Sequence, residues 1–500
     1  MRVDQDESLA IAQGKTPPRV DEAEPSPKPR QVRSSRKVVL QAKTAVLVGR
    51  GVSAARAMAR AIMSAVLAVL ALITLVIVGP TVLWLSIEES TSGPVQNLQQ
   101  TPARSLHDPK KNGYFLLLGF GADASADPVK EGYERWQKSG DSPGQGCSGV
   151  DGESRGPLHF PPGAQMLAAW FLVSDPAARF QNESARTNSW IAQSRPLMER
   201  YRQWLTMPFE DWGYGQPDSP DCAQILVAHR LYLAEGFHQG MEEGLSRLEK
   251  DVAAWRAALG QARTLAVKEM AAAALNEDLM VVAGLLSRTE LRSEAVPRLL
   301  RAAQPLNGAE MSLRWPMQNA FVLLSKQIET GVSKNNPLVE QSWLARALTV
   351  MPLPKQRVVN GYARFYEAAI KAAETPNATI PSLHEFTRTP PQTVVDYLMN
   401  PIDNYLVQIP KPAWEQYTGV ILETGTRMQL VAILARLRSL SSEGTLLTRV
   451  AKAGQNFFDP FTGLPMLLNE ERKRLYSVGR DRKDDNGDPR LDVSVAIPSF

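Results

Sequence analysis

Four aspartates fall close together near the C-terminus, in YSVGRDRKDDNGD (476–488): Asp481, Asp484, Asp485 and Asp488. Like charges that close repel one another, and a hard, oxygen-seeking ion such as Ca²⁺ relieves the repulsion. The four carboxylates are therefore a candidate metal site, and Ca²⁺ is the one cofactor the residues suggest. The spacing is not that of an EF-hand: with Gly487 as the loop glycine, Arg482 takes the first ligand position and Val493 the last. A tight polar turn is the competing reading, because Asp-Asn-Gly-Asp tolerates positive φ and bonds its own backbone. A catalytic carboxylate pair needs a cleft that drives two pKa values apart.

Other reactive patterns are sparse. The five histidines are His107, His159, His229, His238 and His384. His229 and His238 share one predicted helix, but nine residues at about 100° each put them on opposite faces, so they cannot chelate one ion from that helix. Each histidine is expected at the surface or at a cap. There is no HExxH or CxxC, so no catalytic residue is assigned. YFLLLGFGADA (114–124) carries Gly119-x-Gly121-x-x-Ala124, which imitates a dinucleotide loop. No alternation of strands and helices follows, and the expected structure is an element end and a loop, with Asp127–Pro128 opening the next helix. No nucleotide is expected.

The elements that must position these groups are mainly helical. Leu245, Leu248, Val252, Trp255 and Leu259 recur at helical steps and predict a helix over about 223–260. LAVKEMAAAALNEDLMVVAGLL continues as helix to about Ser287, and further helices are expected at 185–206, 294–305, 317–329, 337–349, 358–373 and 427–439. No 34-residue period recurs. Alternation of Leu491, Val493, Val495 and Ile497 predicts a strand. The expected fold is mainly α, with one N-terminal transmembrane helix, a helical-bundle or irregular-solenoid exported domain, and a small C-terminal β-hairpin.

Residues 61–87, between Arg60 and Glu88, carry no charge. A bilayer core takes about 20 apolar residues in a helix, so this run is long enough to span. Arg50, Arg56 and Arg60 precede it and Glu88 and Glu89 follow it. The positive-inside rule then puts the N-terminus in the cytoplasm and residues 88–500 outside. Residues 1–60 carry a net charge of +6 and the remainder −2. The basic character thus belongs to the tail, which faces anionic lipid, and no folded basic surface points to nucleic acid. Both cysteines, Cys147 and Cys222, lie beyond the span, where an oxidising compartment favours a disulfide; two free thiols are the alternative.

The expected division is a disordered basic cytoplasmic tail (1–56), the transmembrane helix (57–87), a polar juxtamembrane connector (88–111), a helical exported domain (112–375) and a C-terminal region (376–500). The last boundary rests on the Pro- and Thr-rich TPNATIPSLHEFTRTPP and on Pro401, Pro410 and Pro412.

Two resemblances add to this. The order TRMQLVAILARLRSL, FDPFTGLPMLLN, LYSVGRDRKDDNGD, LDVSVAI resembles the tail of pseudopilin-like proteins over about 70 of the 500 residues. Tyr476, Ser477, Gly479 and Asp481 match the motif. Arg482 stands where that loop has glycine, Gly487 alone represents its later glycine pair, and the N-terminal pilin helix is lacking. In the major pseudopilins of type II secretion the corresponding loop binds calcium, which is what the resemblance implies for Asp481, Asp484, Asp485 and Asp488. WRAALGQARTLAVKEMAAAAL (255–275) and YLMNPIDNYLVQIPKPAWEQY (397–417) are similar to stretches in a group of uncharacterised proteobacterial proteins with one membrane span and a helical periplasmic part.

The functional expectation is a membrane-anchored periplasmic assembly, tethering or scaffold protein, set beside a secretion or pilus-like machine, with the lipid bilayer and other envelope proteins as partners. The alternatives are an envelope hydrolase whose active site only the fold assembles, and a periplasmic ligand-binding module. A cleft holding two or more strongly perturbed titratable groups favours the hydrolase. An apolar pocket without acid–base pairing favours the ligand-binding module.

Overall fold

The computed structural model describes residues 38–75, 89–139, 156–330, 355–374, 411–440 and 443–497. The chain divides into two compact units, Met1–Pro80 and Thr81–Phe500. The described residues are mainly helical, with sixteen α-helices and one small three-stranded antiparallel sheet.

In the first unit, α1 runs from Val38 to Ile73. Its window Arg56–Ile73 has a mean hydropathy of 1.9 with none of it buried, and is long and apolar enough to cross a membrane. The helix starts well upstream of the span, inside the stretch expected to be a disordered tail. Between Pro29 and Pro80 no proline interrupts the chain, and TAVLVGRGVSAARAMARA is rich in alanine and arginine, which favour helix. Near the end of the described helix the Thr74 hydroxyl donates to Leu70 O at 2.9 Å, which satisfies it inside the helix itself.

In the second unit the connector is folded. α2 (Gly93–Leu98) buries Val95 and Leu98, and a short 3₁₀ turn covers Pro109–Lys111. α3 (Gly113–Leu118) and α4 (Pro128–Lys138) follow. Asp127 caps α4, accepting from Val129 N at 2.9 Å, as Asp127–Pro128 led one to expect. α5 (Pro176–Asn182), α6 (Ser184–Gln193) and α7 (Arg195–Trp204) come next. The expected helix over 185–206 is thus two helices, broken at Ser194 just before Pro196.

The centre is three consecutive helices: α8 (Cys222–Gln239), α9 (Met241–Gln261) and α10 (Leu265–Leu286). The helix expected over 223–260 breaks at Gly240, whose φ of 140° is open only to glycine. α8 packs on α9, α9 on α10, and α10 on the later helix Lys411–Ser439. Leu245, Leu248, Val252, Trp255 and Leu259 form the buried stripe of α9 as their spacing requires. α10 is buried nearly all round, and its C-terminal end is followed by α11 (Ala295–Ala302), α12 (Gly308–Met311) and α13 (Arg314–Thr330). Buried Lys268 ties the last turn of α9 to α12, donating to Leu259 O at 2.9 Å and Glu310 O at 2.8 Å.

α14 (Lys355–Glu374), α15 (Lys411–Ser439) and α16 (Leu446–Ala453) complete the helices. The helix expected at 337–349 lies outside the described residues. The hairpin expected at the C-terminus is a three-stranded meander of β1 (Leu467–Asn469), β2 (Arg474–Ser477) and β3 (Val493–Ala496). Leu475 pairs with Val495 and Ser477 with Val493, while β1 adds on the other edge of β2. Buried Leu475, Val493 and Val495 face the helical core, and Ser287 Oγ donates to Ala496 O at 3.2 Å.

Candidate functional site

The central helices place ionisable groups where the pattern demands apolar ones. Asp251 lies three residues after Leu248 and four before Trp255, so helical spacing puts its carboxylate on the buried stripe of α9. Asp278 stands in the same relation to Leu275 and Val282 on α10. α8 contributes His229 and Arg230, and α7 contributes Tyr201. His229, Asp251 and Asp278 are all 0% exposed, a condition such groups tolerate only when paired.

The pairing is dense. His229 Nδ1 lies 2.7 Å from Asp251 Oδ2. The Tyr201 hydroxyl donates to Asp251 Oδ1 at 2.6 Å and itself accepts from Trp255 Nε1 at 2.9 Å. Arg230 holds Glu277 in a forked contact, with Nε 2.8 Å from Oε2 and Nη2 2.7 Å from Oε1. His229 Nε2 is 3.5 Å from Glu277 Oε2, an electrostatic approach without the geometry of a hydrogen bond. Neither oxygen of Asp278 has a hydrogen-bond partner among the described residues.

Charge counting explains how the protons settle. Two cations, Arg230 and protonated His229, face three carboxylates, and one retained proton makes the cluster neutral. Burial alone would lower the His229 pKa, but Asp251, Glu277 and Asp278 outweigh it and raise it to about 10. Burial pushes the Asp278 carboxyl well above its ordinary range, and neighbouring Asp251 pushes it further. Glu277 is held below its ordinary value because Arg230 and His229 overcome the burial that would raise it. The cluster is thus a proton-sharing polar core that joins three helices, with His229, Asp251 and Asp278 closed to solvent and Glu277 at its partly exposed edge. His229, Asp251 and Asp278 can also hold a metal: one ligand atom from each lies within 4.8 Å of the others.

His229 corrects the expectation that each histidine sits at the surface or a cap. His107, His159 and His238 are exposed, and His384 lies outside the described residues. His229 and His238 do lie on opposite sides of α8. Spacing along one helix could not reveal Asp251 or Glu277, which reach His229 from other helices. The available signal was a charged residue inside an apolar helical run: His229–Arg230 in ILVAHRLYL, Asp251 beside Val252, and Glu277–Asp278 in LNEDLMVV.

Of the four C-terminal aspartates, Asp481, Asp484 and Asp488 are engaged one by one, while Asp485 contributes its carbonyl to the turn, accepting from Asp488 N at 3.3 Å. Asp481 accepts from Lys483 N at 3.1 Å, and Asp484 accepts from Tyr476 OH and Asn486 N, both at 2.9 Å. Asp488 accepts from Arg490 Nη2 at 3.0 Å, and that guanidinium lowers its pKa to about 2. Asn486 and Gly487 both take positive φ, the conformation of a tight turn. Buried Asp492, which the alternation assigned to a strand, anchors the turn by accepting from Gly487 N at 2.7 Å. Among the described residues, the aspartates of this loop form no group of three with ligand atoms within 4.8 Å.

Gly119 owes its type to packing: a Cβ there would meet Pro128 O at 2.1 Å, where α3 ends against α4. Cys222 opens α8 and is buried; Cys147 lies outside the described residues, and so does any contact it makes. A surface hollow of about 360 Å³ is lined by Met241, Leu245, Arg288, Arg292 and Arg298 among others. It includes no member of the buried cluster, and Arg298 is held by Glu242 and Glu249, Arg288 by Asp175.

Fold and site define a mainly helical chain with one helix long and apolar enough to cross a membrane, and with a buried His–Asp–Asp group in its helical core. Compared with family models, curated proteins and solved structures, the chain matches none of the three.

Proposed function

We propose that the chain is a single-pass envelope protein whose exported helical body is a tether or scaffold for other envelope proteins, beside a secretion or pilus-like machine. The N-terminus is cytoplasmic and residues 88–500 are periplasmic in this reading, from the flanking charges. One observation carries it: the residues just beyond the span are docked on the body. Glu89 pairs with Arg357 at 2.6 Å and accepts from Asn360 at 3.0 Å, while Asn360 also bonds Ser90 O at 3.0 Å and accepts from Ser92 N at 3.1 Å. Further along the connector, Glu210 accepts from Ser105 N and Leu106 N, and Arg263 bridges Glu210 to Ala103 O. A catalytic domain on a flexible stalk has no need of such fixation, whereas a scaffold gains a defined surface from an ordered connector.

The hydrolase alternative asks for strongly perturbed acid–base groups in a cleft. The most perturbed groups here are sealed from solvent, which favours the tether. The test is crosslinking of the full-length protein in intact cells, followed by purification: discrete envelope proteins are expected in the captured complex. Turnover of a peptidoglycan, peptide or ester substrate by the purified protein would end this reading.

A further inference from the structure

We propose that His229, Asp251 and Asp278 form a structural site for one divalent transition-metal ion of the zinc class, stapling α8, α9 and α10 together. The donors come from three different helices, and their ligand atoms lie within 4.8 Å of one another. Zinc–ligand bonds of about 2.0–2.1 Å place tetrahedral ligand atoms about 3.3 Å apart, so small side-chain rotations close the set. The 2.7 Å contact between His229 Nδ1 and Asp251 Oδ2 opens by about 0.6 Å as its proton leaves.

An independent observation is the set of polar atoms left over. Both oxygens of Asp278 are buried without a hydrogen-bond partner among the described residues. A proton on Asp278 can satisfy only one of its oxygens, whereas a cation satisfies a carboxylate directly. Charge supports the same assignment. A neutral imidazole, two carboxylates and a dication sum to zero, and Arg230 and Glu277 neutralise each other beside them. The ion stands in place of two protons, one from His229 and one from Asp278.

The donor set selects the metal class. One nitrogen and carboxylate oxygens suit zinc, cobalt or manganese, while Ca²⁺ and Mg²⁺ favour shells made of oxygen alone. Burial of all three donors shields the ion from solvent exchange, and Tyr201, bonded to Asp251, orients that ligand from behind. The proposal is independent of the tether reading.

The test uses the full-length chain in detergent, stripped with a chelator and dialysed against Zn²⁺ or Co²⁺. About one ion per chain is expected, with a visible Co²⁺ absorption band and a raised Tm. Asp278→Asn keeps the shape and supplies an amide donor to Asp251, so it folds and loses Zn²⁺ affinity by roughly 100-fold or more. Asp484→Ala with Asp485→Ala leaves binding unchanged. Failure of the wild type to retain an ion, or equal retention by Asp278→Asn, overturns the site, as does loss of the ion in the C-terminal double variant. Should Asp278→Asn not fold, the wild-type Co²⁺ spectrum decides alone, and no band means no site.

Discussion

His229 Nδ1 and Asp251 Oδ2 meet at 2.7 Å between α8 and α9, with both side chains closed to solvent. Removing one partner of a buried ion pair leaves the other uncompensated. Asp251→Ala is expected to cost about 3–5 kcal/mol, and Tyr201→Phe, which removes one hydrogen bond to the same carboxylate, about 1 kcal/mol. Chemical denaturation of the full-length protein in detergent checks both. Equal effects from the two variants would mean that the Asp251 carboxylate is not the hub of the cluster.

Docking of the connector predicts a local effect. Arg357→Ala with Asn360→Ala releases Glu89, Ser90 and Ser92, so amide exchange at Ser92 should quicken while α9 and α10 stay protected. Unchanged exchange would show that the connector is held by the burial of Val95 and Leu98 alone.

Acid should loosen the same region. The Glu210 carboxylate is drawn down from 4.5 to about 2: burial pushes it up, but Ser105 N–H, Leu106 N–H, Trp212 and Arg263 overcome that. Its folded pKa is depressed, so its contribution is complete above the unfolded value of 4.5 and is lost as pH falls through about 2. That shift corresponds to about 3 kcal/mol. Tm measured across this window should fall in the wild type, and Glu210→Gln should be less stable near neutrality and flatter with pH. A wild-type curve that does not steepen there contradicts the assignment.

Much of the architecture is legible in the residues. The apolar stripe of α9, the Asp127 cap of α4 and the pairing of β2 with β3 all follow from local periodicity and turn chemistry. The break at Gly240 was open to sequence reasoning, since glycine interrupts a helical run there, but the neighbouring apolar period masked it. The buried cluster was out of reach for a different reason. Its partners are far apart in sequence, and a lone charged residue within an apolar run gives no sign of which distant group neutralises it. The loop at 476–488 drew attention because its aspartates are adjacent, and adjacency is also what a tight turn produces.

For that loop, the local bonds predict that millimolar calcium leaves Tm unchanged. Each of Asp481, Asp484 and Asp488 already accepts from a turn amide or a side chain of the loop or its flanks. A calcium-dependent rise in Tm that Asp484→Ala with Asp485→Ala abolishes would establish the ion instead.

The central claim is that the exported body holds other envelope proteins. Photocrosslinking in intact cells tests it most directly, with the probe placed at exposed apolar positions of the body such as Leu172 and Phe458, 76% and 53% exposed. The account predicts discrete crosslinked species that depend on probe position and contain another envelope protein. Crosslinks to lipid alone at every position, together with substrate turnover by the purified chain, would contradict it.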